Sequence, residues 1–82
     1  MSLLTLDQLK TIMIQVDAES AKELDGEILD VGLDHLGFDS LAVLEIATRI
    51  QQAHQLPIPD EAIEEMTTPR NILDYVNQRL AA

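Results

Sequence analysis

All three glycines of this 82-residue chain, Gly26, Gly32 and Gly37, fall inside one stretch, residues 20–38. Glycine is a poor helix-interior residue, because it loses more backbone freedom on ordering than any other. The segments on either side carry none, and they are dominated by Leu, Ile, Ala, Glu and Gln, which favour helix over strand. The expected fold is therefore all-α. It is a small bundle of three main helices plus one short helix, with a long ordered loop between the first two.

Local signals place the elements. Thr5 and Gln8 have the spacing of a capping box, so the first helix starts there, with Asp7 at the positive end of its dipole. Leu6, Leu9, Met13 and Val16 make its apolar face, and the helix is expected to end near 18–21. In the loop, Ile28, Val31, Leu33 and Leu36 pin the chain to the body, around one short helical turn. The second helix begins at Asp39 or Ser40 and runs to about His54. Leu41, Leu44, Ala47 and Ile50 make one apolar stripe, widened by Val43 and Ile46, and Leu41, at the first turn, is expected to be partly exposed. Leu56-Pro57-Ile58-Pro59 stops it, since proline disfavours α geometry in the residue before it. A short acidic helix is expected within 60–66. Thr68 then caps a last helix that opens at Pro69, with Ile72, Leu73, Val76 and Leu80 inward and Tyr75 at the edge.

Composition removes whole classes of function. Five Lys and Arg against fifteen Asp and Glu give a net charge of −10, the wrong sign for nucleic acid or an anionic membrane. No Cys is present, which excludes disulfides, thiolate metal sites and a Cys nucleophile. His35 and His54 are too few for a His-rich metal site. No apolar run can span a bilayer and the start lacks the pattern of a signal peptide, so the chain reads as one soluble, cytoplasmic domain.

Catalytic readings fare poorly. Ser40, His35 and Asp39 or Asp34 form a serine triad only on paper, without the Gly-x-Ser-x-Gly turn or a sheet to hold it. A calcium loop starting at Asp30 fails, because its sixth position is His35 and its twelfth is Leu41. No catalytic residue and no metal ligand is assigned. What remains is Leu36-Gly37-Phe38-Asp39-Ser40-Leu41 at the start of the second helix. On its own Ser40 reads as a plain N-cap. A phosphate there would still be tolerated, because the free N–H groups and dipole of a helix start favour an anion.

That hexapeptide resembles the attachment motif of acyl carrier proteins. The order of segments around it is similar too, over about Leu4 to Leu80. The resemblance implies that Ser40 carries 4′-phosphopantetheine, taken from coenzyme A by a phosphopantetheinyl transferase. It implies that Asp39 and Leu41 help partners recognise the site. Gly37–Ala42 and the later Thr68-Pro69-Arg70 look most like the freestanding carriers of type II polyketide synthases. Fatty-acid carriers have a more acidic second helix, whereas this one offers Glu45 and Arg49. The implied function is a monomeric, non-enzymatic carrier for polyketide and antibiotic biosynthesis. It shuttles chains as thioesters among ketosynthase/chain-length factor, acyltransferase and tailoring enzymes such as ketoreductase and cyclase.

Acidic residues flank the motif: Asp25, Glu27, Asp30 and Asp34 before it, and Glu45, Asp60, Glu61, Glu64 and Glu65 after it. Most would simply solvate the surface. Collectively they would steer basic patches on partners, with Glu45, Glu61, Glu64 and Glu65 as the recognition residues. Leu44, Ala47, Ile63 and Ile72 are candidate linings for an acyl chain. Arg70 is either an ion-pair residue or a polar contact for a polyketone. Three other readings stay open: a fatty-acid or other pathway's carrier, a cofactor-free acidic helical adaptor, and a minimal esterase at Ser40.

Overall fold

The Thr5 hydroxyl accepts from the Gln8 N–H at 3.1 Å, and the Gln8 side chain accepts from the Thr5 N–H at 3.1 Å. Both arms of the capping box are thus made, and helix α1, Leu6–Val16, begins where the sequence places it. The computed structural model describes residues 3–19 and 27–81. Three further helices follow: α2, Ser40–His54; α3, Asp60–Glu64; and α4, Pro69–Ala81. This is the expected all-α bundle of three main helices and one short one, and no strand occurs among the described residues.

Two boundaries differ from expectation. Helix α1 ends at Val16 rather than near 18–21, because Asp17 is extended (φ −150°, ψ 96°) and its carboxylate accepts from the Glu19 N–H at 3.1 Å. An aspartate that offers the backbone its own turn competes with the helix. Helix α2 stops at His54 as expected, but through Gln55 in the left-handed conformation (φ 51°), ahead of the prolines. There the Leu56 N–H reaches the Gln51 carbonyl at 3.3 Å. At the start of α4 the Thr68 hydroxyl accepts from the Asn71 N–H at 3.2 Å, the expected cap.

Helix α1 packs on α2 and α4, and α3 packs on α2. The core contains Leu9, Met13, Ile46, Ile50, Ile72 and Val76, all essentially inaccessible. Each such side chain contributes about 1.5–3 kcal/mol of hydrophobic stabilisation. On α2 the buried set is Val43, Ile46, Ala47 and Ile50, while Leu41 and Leu44 are 65% and 42% exposed. The expected stripe therefore needs correction, whereas the exposure of Leu41 is as its place in the first turn leads one to expect. Steps of three residues drift around a helix of 3.6 residues per turn, so positions 41 and 50 cannot share a face. The i, i+3, i+4, i+7 set starting at Val43 is the one that faces inward.

The described part of the inter-helix loop is ordered by its apolar residues. Ile28, Leu33, Leu36 and Phe38 are buried, and Val31 is partly buried. Three ties bind this segment to the start of α4. The Leu33 N–H donates to the Thr67 carbonyl at 2.8 Å, the Arg70 N–H donates to the Leu29 carbonyl at 2.9 Å, and the Arg70 guanidinium holds Asp30. The expected loop residues 20–26, including Asp25, lie outside the described residues.

Candidate functional site

The segment before α2 winds through one helical turn. The Leu36 N–H donates to Gly32 and Leu33 carbonyls, both at 3.1 Å, and the Phe38 N–H donates to the Leu33 carbonyl at 2.9 Å. Gly37 then adopts φ 91°, a conformation that an L side chain rarely takes, and reverses the chain. Phe38 plugs into the core at 2% exposure. The next residue, Asp39, is the N-cap of α2: its carboxylate accepts from the Ala42 N–H at 2.8 Å. Ser40 is thus the first helical residue, and its reading as the cap is corrected.

This arrangement leaves the Ser40 side chain exposed, with no hydrogen-bond partner among the described residues. The Ser40 and Leu41 N–H groups at the same helix end are also without partners there. A phosphodiester on Ser40 fits these surroundings. It would meet free amide donors and the positive end of a fifteen-residue helix, and would displace no existing bond.

Two grooves open at Ser40. The first, of about 470 Å³, runs between α2 and α3 and is lined by Val43, Leu44, Ile63 and Met66, with Asp60 and Glu64 at its rim. The second, also about 470 Å³, runs along the loop past His35, Phe38, Met66 and Thr67. Of the linings expected from sequence, Leu44 and Ile63 are in the first groove. Ala47 and Ile72 are fully buried core and line neither. Val43, Asp60 and Met66 were not singled out as linings. For Met66 the only signal is that it is the apolar residue closing the 60–66 segment before Thr67-Thr68-Pro69. His35 lines the second groove together with Ser40, yet no hydrogen bond joins them. The paper triad is not assembled.

The carboxylates divide into engaged and free. Asp39 is committed to the helix cap and Asp34 accepts from the His35 N–H at 3.0 Å. Asp30 receives Arg70 through two bonds of 2.7 and 3.2 Å. The Arg70 hydrogen bond holds the Asp30 carboxyl below its ordinary range, and Asp30 in turn raises Arg70. Arg70 is therefore an ion-pair residue, the first of its two expected roles. By contrast, Glu45, Asp60, Glu61, Glu64 and Glu65 are exposed, and none has an ion-pair partner among the described residues. Leu41 and Leu44 stand exposed beside Ser40, an apolar patch next to acidic α3. The site so assembled has a free hydroxyl, an apolar groove and an acidic border. No group of metal-ligating side chains occurs among the described residues, and no helix is long and apolar enough to cross a membrane.

Comparison with known proteins agrees with this geometry. A family model described as a phosphopantetheine attachment site matches residues 7–76. The chain is 44% identical over 78 residues to the granaticin polyketide synthase acyl carrier protein of Streptomyces violaceoruber, covering 94% of this chain and 92% of that one. Octanoyl acyl carrier protein from the actinorhodin polyketide synthase of Streptomyces coelicolor superimposes with a TM-score of 0.88 at 36% identity, over 98% of this chain and 94% of that chain. The actinorhodin holo acyl carrier protein gives 0.83 at 35% identity, with the same coverage.

Proposed function

The chain belongs to the acyl carrier proteins, the family with a phosphopantetheine attachment site, and from that premise we propose that it carries polyketide intermediates on an arm attached to Ser40. The observation that carries the assignment to Ser40 is its exposed hydroxyl, unpartnered among the described residues, at the first position of α2, where two grooves meet. When bound, 4′-phosphopantetheine supplies the thiol on which a chain rides as a thioester, chemistry that a protein without Cys cannot supply itself.

Attachment makes one bond and breaks one. Ser40 Oγ bonds to the phosphorus of the pantetheine phosphate, and that phosphorus releases the adenosine bisphosphate half of coenzyme A. The Ser40 proton goes to a base on the transferring enzyme, since no described side chain of this protein hydrogen-bonds the hydroxyl. Asp39 fixes the helix start, and the Ser40 and Leu41 N–H groups face the new anion. The α2/α3 groove shelters the apolar part of the carried chain.

Exposed Leu41 and Glu45, with Glu61 and Glu64 on α3 and Glu65 at its C-cap, present the carrier to basic patches on the transferase, the ketosynthase/chain-length factor, the acyltransferase, and tailoring enzymes such as ketoreductase and cyclase. Such a field gives fast, salt-sensitive encounters that still let go, which a shuttle requires. The polyketide carriers among the relatives favour this pathway over fatty-acid synthesis.

Intact mass after incubation with coenzyme A and a promiscuous phosphopantetheinyl transferase tests the site. One added phosphopantetheine is expected on the parent and none on Ser40→Ala. Addition to Ser40→Ala would remove Ser40 from the assignment. Elongation with a polyketide ketosynthase/chain-length factor, compared with a fatty-acid ketosynthase, tests the pathway.

A further inference from the structure

A third depression, of about 280 Å³, lies between α3 and α4 and is lined by Ala62, Asn71 and Tyr75 among others. Met66 is the one described residue that lines this cleft, the α2/α3 groove and the loop groove together. We propose that Met66 sets the depth to which a tethered acyl chain is sheltered. Its thioether closes the inner end of the α2/α3 groove, and its displacement joins that groove to the cleft beside Tyr75. The inference rests on the reading of Ser40 as the point of attachment.

Several observations converge on Met66. It is only 5% exposed, so it sits between the depressions rather than on their rim. Its backbone is held: its own N–H donates to the Ile63 carbonyl at 3.0 Å, and the next carbonyl, of Thr67, accepts from Leu33 at 2.8 Å. Motion at this point therefore belongs to the side chain. Methionine is unbranched and turns about three bonds, so it can yield to a ligand and refill the gap when the ligand leaves. On the far side lies Tyr75, whose hydroxyl oxygen is buried without a hydrogen-bond partner among the described residues. A buried, unsatisfied hydroxyl calls for a partner. A chain that passes Met66 enters the cleft beside Tyr75.

The test loads hexanoyl and dodecanoyl chains onto the parent, Met66→Leu and Met66→Ala proteins and measures thioester cleavage by hydroxylamine. Burying one more methylene shifts an opening equilibrium about fourfold. Dodecanoyl on Met66→Ala is therefore expected to cleave at least about fourfold more slowly than on the parent, with hexanoyl unchanged. Met66→Leu, which keeps the volume, should match the parent. Tyr75 is the only tyrosine and there is no tryptophan, so its emission reports arrival at the cleft. It should change when Met66→Ala receives dodecanoyl. Should Met66→Ala melt below the assay temperature, Met66→Val carries the same comparison. Normal loading with identical chain-length dependence in parent and variant overturns the role of Met66 alone. Loss of Ser40 as the modified residue, read by mass, overturns the attachment reading and this proposal with it.

Discussion

The Asp39 carboxylate accepts a hydrogen bond from the Ala42 N–H at 2.8 Å, so the residue that caps α2 and Ser40, the proposed attachment residue, are neighbours rather than one and the same. Capping and attachment can therefore be separated by mutation.

Ser40→Ala should leave the fold within about 0.5 kcal/mol of the parent, since an exposed side chain with no bond is removed. Asp39→Ala should cost about 1 kcal/mol through loss of the cap, and Asp39→Asn much less. Thermal melts of the three variants check this order. A larger loss for Ser40→Ala than for Asp39→Ala would contradict the cap assignment.

Leu41→Ala should change stability by less than about 0.5 kcal/mol, because the side chain is 65% exposed. Ile46→Ala, at a fully buried position on the same helix, should cost roughly 2–5 kcal/mol. Leu41→Ala should nevertheless slow phosphopantetheine loading and chain hand-off. Melts and loading rates measured on the same preparations decide whether Leu41 acts in docking.

The Asp30–Arg70 pair predicts a defined acid response. Arg70 lowers the Asp30 carboxyl in the folded protein, so the folded state prefers the deprotonated form. The pair's contribution is present above the ordinary carboxyl value of about 3.9 and is lost as pH falls through the lowered folded value. Asp30→Asn should therefore differ from the parent near neutrality by a small, constant amount, and the difference should close in acid. Denaturant melts across this range measure it. A gap that stays the same at the acid end would rule out the pair as its source.

Replacing Glu61, Glu64 and Glu65 by Lys should alter stability by no more than about 1 kcal/mol, since these carboxylates are exposed and unpaired among the described residues. Acyl transfer by a ketosynthase should fall at low salt and converge with the parent at high salt. Equal rates at low salt would leave these residues a solvating role only.

Much of this was legible in the sequence, for local reasons. Thr5 with Gln8 and Thr68 with Pro69 specify helix starts through bonds made within one turn, and the motif around Ser40 stands where those rules place it. Leu44 falls in the expected stripe because hydropathy does not distinguish a leucine that packs from one that is displayed, whereas the exposure of Leu41 is legible from its place in the first turn, next to Ser40. Met66 and Asp30 were harder still. Their roles depend on what faces them from α2 and α4, far away in sequence.

The ties between 29–33 and 67–70 join positions as many as 41 residues apart, and they bear on the order in which the protein is made. A ribosome delivers Asp30, Ser40 and all of α2 before Thr67 and Arg70 exist. On the nascent chain, the loop leading into Ser40 lacks its outer brace until the first turn of α4 emerges. With Ser40 as the proposed attachment residue, its loop is fully braced only on a chain whose last helix has begun to form, which links fitness for loading to the synthesis of α4.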